Sequence, residues 1–103
     1  MIKNVVIGNT ATNILSSSVG ESFAGIGLYF CNTSNFEEGI SLHVLESNAV
    51  VSDGNMIVRN LSIPSGSTYE FGAEKFLIQN GERIAAIGKT GSRVVATITY
   101  TEI

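Results

Sequence analysis

Apolar and polar positions alternate along most of this chain, and the alternation has a period of two. In Arg93 to Thr101, Val94, Ala96, Ile98 and Tyr100 fall on one face. Arg93, Thr97, Thr99 and Thr101 fall on the other, with Val95 the one apolar exception. Successive side chains of a strand point to opposite sides, so this reads as a half-buried β-strand. Gly39 to Glu46 repeats the pattern, with Ile40, Leu42 and Val44 inward and Ser41, His43 and Leu45 outward. Further strands are predicted at Lys3 to Ile7, Thr12 to Ser16, Phe23 to Cys31, Met56 to Ile63, Thr68 to Phe71, Phe76 to Gln79 and Glu82 to Ile87. Helix signals are nearly absent, and Ala73 to Asn80 is the segment most open to a single helical turn.

The punctuation between these runs is that of hairpins. Asn80-Gly81 tolerates positive φ at both central positions of a type I′ turn. Asp53-Gly54 is a second turn, with Glu38-Gly39 and Lys89-Thr90-Gly91 beside it, and Pro64-Ser65-Gly66 ends a strand because proline cannot donate to a ladder. Gly25-Ile26-Gly27 lies inside a strand and marks a bend or a close backbone approach. Roughly eight short strands at intervals of about 8–12 residues predict one antiparallel β-sandwich, jelly-roll or immunoglobulin-like, spanning residues 1–103 as a single domain.

Composition agrees. The chain has 103 residues, 44% of them hydrophobic and 15% charged, which suits one folded core and excludes a disordered chain. So low a charged fraction fits either a surface shared with a neighbour or one rich in uncharged Ser, Thr and Asn. The net charge of −3, with Lys3, Arg59, Lys75, Arg83, Lys89 and Arg93 scattered singly, argues against nucleic acid and anionic membranes as partners. No apolar run approaches the ~20 residues of a membrane span, and the apolar stretch at residues 1–8 is too short for a signal peptide. A cytoplasmic site of synthesis is expected. Cys31 is the only cysteine, so no intrachain disulfide forms.

Candidate chemistry is sparse. His43, the only histidine, is expected on a solvent-facing strand position without an orienting partner. One His and one Cys cannot supply a structural zinc site, and Cys31, ending an apolar strand, reads as a buried inert thiol. Glu37-Glu38 is the only adjacent carboxylate pair and Asp53 the only aspartate, too few acids for a glycosidase pair or a calcium loop. Gly88-Lys89-Thr90 matches the end of a phosphate-binding loop, but Arg83 stands where its first glycine belongs and no helix follows. Asn32-Thr33-Ser34 and Asn60-Leu61-Ser62 are formal glycosylation sequons without a secretion signal. Tyr69, Phe71 and Phe76 read as core, whereas Tyr29, Phe30 and Phe36 flank the polar loop from Asn32 to Asn35 and mark a possible contact surface. No catalytic, cofactor or metal residue is predicted, and the chain is not expected to be an enzyme.

Several segments of the second half carry a resemblance. Ile57-Val58-Arg59-Asn60-Leu61 is followed by Ile63-Pro64-x-Gly66-x-Thr68-Tyr69. Lys75-x-Leu77-x-x-x-Gly81-Glu82-x-Ile84 comes next, and Val94 to Ile103 closes the chain. This resembles small accessory structural proteins of tailed bacteriophages, cyanophages especially, with Gly81-Glu82 where that group usually has Gly-Asp. The opening pair from Val6 to Leu15 extends the likeness along the chain. The resemblance implies a virion structural role in capsid decoration, neck or tail. It also implies assembly as a homo-oligomer, above all a trimer, together with other virion proteins. A small carbohydrate- or receptor-binding module for host attachment is the alternative.

Overall fold

A computed structural model describes residues 1–71 and 76–103. Its strands are β1 (Ile2–Ile7), β2 (Thr12–Ser16), β3 (Ser22–Asn32), β4 (Glu38–Leu45), β5 (Met56–Ile63), β6 (Thr68–Phe71), β7 (Leu77–Gln79), β8 (Arg83–Gly88) and β9 (Val94–Glu102). One short 3₁₀ turn, Asp53–Asn55, lies before β5. Each predicted strand is present to within a residue or two. Leu77–Gln79 is a strand rather than a helical turn, and Ala73 to Lys75 of that segment lie outside the described residues.

The strands form two antiparallel sheets. One runs β1-β9-β3-β6, with β7 continuing the β6 edge against the other end of β3; the second runs β2-β8-β4-β5. If β6 and β7 are taken as one interrupted strand, the first strand pairs with the last, the second with the next to last, and so inward to β4 and β5. A long hairpin rolled into two sheets in this way is a jelly roll, so the jelly-roll form of the expected sandwich is the one adopted.

The period-two pattern explains the core between the sheets. Phe30, Leu28, Ile98 and Ala96 of the first sheet are fully buried, as are Ile84 and Ala86 of the second. Ile7, Ile14, Ile40, Leu42 and Ile63 join them in one cluster. Phe71 and Phe76 stack at 5.7 Å between ring centroids and pack against it, as predicted, but Tyr69 of the same edge is 40% exposed.

Turns and irregularities follow the predicted residues. Asn80 and Gly81 have φ of 51° and 94°, and Glu82 N–H donates to Gln79 O at 3.1 Å, so the expected tight turn is present. It closes no hairpin, however, because β7 pairs with β3 in one sheet and β8 with β2 and β4 in the other, and the turn carries the chain from one sheet to the next. Between Gly25 and Gly27 the register of β3 against β9 shifts by one residue, leaving Ile26 as the extra, exposed residue of a bulge. β5 is irregular twice against β4, and positive φ at Asn60 accompanies one of these shifts. Such bulges blunt an edge strand that would otherwise offer a flat row of free N–H and C=O groups.

Candidate functional site

The sequence singled out few chemical groups, and the fold separates them. His43 is on the outer face of the second sheet, as alternation predicts: its partner across β8 is Ala85, while the neighbouring Leu42–Ala86 pair faces the core. It is not solvent-exposed, however. The segment from Glu46 to Asn55 folds back over that face and buries His43, Leu45 and Ala85 almost completely. His43 Nδ1 lies 2.8 Å from Asn55 Oδ1. Asn55 Nδ2 donates to Val50 O and Ser52 N–H donates to Asn55 Oδ1, which fixes the amide so that its oxygen faces the ring. The Nδ1 nitrogen therefore carries the proton. Nε2 is buried without a partner among the described residues. The Arg83 guanidinium, on the same face, donates to Ala49 O and ties the segment down at a second point. This is a latch for a loop.

The acidic pair also divides. Glu37 is exposed, whereas Glu38 opens β4 with its side chain 3% exposed and Oε2 3.1 Å from Arg93 Nη1. The other oxygen, Oε1, is buried and unpartnered among the described residues. Arg93 also lies 5.4 Å from the Phe36 ring centroid, a cation–π contact on the loop that crosses from β3 to β4. Asn32, noticed in the sequence only as a sequon, is completely buried. Its Nδ2 donates to Phe36 O and Ile63 O, and its Oδ1 accepts from Ser34 N–H and Oγ–H. It braces three segments at one end of the sandwich. No group of three or more His, Cys, Asp and Glu suited to a metal occurs among the described residues, and no helix there is long and apolar enough to cross a membrane.

The aromatic surface expected from Tyr29 to Phe36 is broken up as well. Phe30 points into the core, Tyr29 lies on the outer face of the first sheet, and Phe36 sits in the β3–β4 loop. Cys31 is half-buried on that same outer face rather than in the core, because alternation from the inward Phe30 turns it outward and gives the next inward position to Asn32.

What the register does assemble is a broad uncharged face. Residues paired directly across strands share a side of the sheet, so the outward positions line up in rows. One row crosses β1, β9, β3 and β6 as Val6, Val95, Cys31 and Thr68; the next is Asn4, Thr97, Tyr29 and Glu70. A third is Ile2, Thr99 and Gly27. Thr97 Oγ1 donates to Asn4 Oδ1 at 2.7 Å within the middle row. The Tyr29 side chain leans back over Gly27, where an added Cβ would stand 3.3 Å from the ring. Leu77, Val6 and Ile2 are respectively 68%, 55% and 70% exposed. Among the described strand residues that point outward here, Glu70 at the edge is the one charge. Sequence reasoning found the polar outer positions of β9 but not this face, which exists only once five strands are in register.

Compared with protein-family models, with curated proteins and with solved structures, the chain matches none.

Proposed function

We propose that this protein is a non-enzymatic structural component of a tailed-phage particle, part of its capsid decoration, neck or tail, and that it acts by binding copies of itself and other particle proteins. The observation that carries the reading is the outer face of the five-stranded sheet, whose described strand residues carry one charge, Glu70, at the edge. A solvated sheet face of a free-standing domain usually carries mixed charges, whereas interface centres are depleted in Lys, Glu and Asp. The other support is the likeness of the segments from Met56 to Ile103 to phage accessory proteins. The two most buried polar groups outside the backbone ladders, His43 and Asn32, are spent on holding loops, and that suits a part built to be rigid. Mass spectrometry of purified particles of the encoding phage tests the reading: the chain is expected among their proteins in multiple copies, and its absence sinks the idea.

Glycan binding is the weaker reading. It needs Tyr29, Phe30 and Phe36 on one surface, and those three side chains point to three different surroundings.

A further inference from the structure

We propose that the outer face of the five-stranded sheet is where two copies of this chain pack against each other about a two-fold axis. The inference rests on the assembly reading above and adds the surface and the partner. The first argument is charge. The chain carries a net −3, so most pairings of its surface bring carboxylates together, yet among the described strand residues this face holds one charge, Glu70, at its edge. A copy of the same surface meets its centre without repulsion and without desolvating a charge there, with Glu70 left at the rim. The second is coverage. The outer face of the other sheet is partly occupied, around His43 and Arg83, by the chain's own segment from Glu46 to Asn55, so the five-stranded sheet offers the broader open face among the described residues.

The third argument is size. Four strands abreast at about 4.8 Å, on average about eight residues long at about 3.3 Å each, span roughly 500 Å² per copy in projection. Two whole faces in contact amount to roughly 1,000 Å² in projection, about what a specific interface needs. Short Val and Thr side chains across the centre allow two sheets to approach to about 10 Å, the spacing of packed sheets. An isologous contact of this kind makes pairs. The trimer expected from the resemblance would instead need two different patches on each copy.

Native mass and thiol labelling of the purified full chain test this. The unmodified chain is expected to have the mass of two copies, and Val95→Lys, which puts a charge in the middle of the face, half that mass. Ile57→Lys, on the other sheet, is expected to leave the pair intact, with circular dichroism confirming that both variants fold. Cys31 beside Val95 reports on the contact without any substitution: maleimide labelling is expected to slow several-fold as concentration drives pairing. A monomer at every concentration, a mass of three copies, a folded Val95→Lys that still pairs, or labelling that ignores the rise in mass each overturns the face contact. None of these outcomes touches the particle assignment, which the mass spectrometry of virions decides separately.

Discussion

The Nδ1 nitrogen of His43 and the side-chain oxygen of Asn55 are 2.8 Å apart, at the point where the β4–β5 connection closes over the second sheet. The bond joins a strand residue to the end of the 3₁₀ turn. It sits within a capping box in which Ser52 and Asn55 satisfy each other's backbone N–H groups.

Asn55→Ala removes both the acceptor for the imidazole and the tie to Val50, leaving a buried N–H unpaired. The expected cost is about 1–3 kcal/mol. For a domain this size that lowers Tm by roughly 4–8 °C per kcal/mol. His43→Leu deletes the ring's polar atoms and leaves the other bonds of Asn55 in place, so it costs less. Thermal melts that rank the two in the opposite order count against the latch.

Arg93→Ala leaves the Glu38 carboxylate buried with neither oxygen paired. Breaking a buried ion pair on one side costs about 3–5 kcal/mol, less here because Arg93 is itself partly exposed to water. Converting both partners, as Glu38→Gln with Arg93→Met, is expected to recover much of that loss. A double-mutant cycle in urea measures the coupling, and additive single effects would show that the pair contributes nothing.

Asn32→Asp keeps the shape but points a carboxylate oxygen at two carbonyls, Phe36 O and Ile63 O, that now receive N–H bonds. An unpaired buried charge facing acceptors is among the costliest single changes, so a loss of more than about 3 kcal/mol is expected at neutral pH. Asn60→Asp, at the exposed second sequon, should change stability by less than about 0.5 kcal/mol. Chemical denaturation of the two variants side by side checks the contrast.

Gly81→Ala tests the β7–β8 turn. The residue has φ of 94°, and an added Cβ would stand 2.6 Å from Ser47 Oγ. Strain and crowding act in the same direction, and a loss of about 1–3 kcal/mol is expected. Gly20→Ala also has positive φ but meets no atom within 4 Å, so it isolates the backbone share of the effect.

Strand positions and the Asn80-Gly81 turn were readable because each depends on neighbours in sequence. The bend at Gly25-Ile26-Gly27 was readable for the same reason. His43 shows the boundary of that kind of reading. Alternation placed it on the correct side of β4, but its burial depends on a loop three to twelve residues further along, which no periodicity in the strand encodes. Glu38 and Arg93 are 55 residues apart, and Asn32 reaches Ile63 across 31, so neither partnership leaves a local trace. Cys31 went astray for another reason: its apolar character suggested the core, whereas its place next to the inward Phe30 puts it on the outer face.

The pairing of β1 with β9 places Val5 beside Ala96 and Ile7 beside Val94. Until β9 has left the ribosome, the first sheet lacks the strand that sits between β1 and β3, and the rolled hairpin cannot close around Phe30. Closure of the first sheet therefore waits for β9, and joining strands so far apart in sequence makes that step slow.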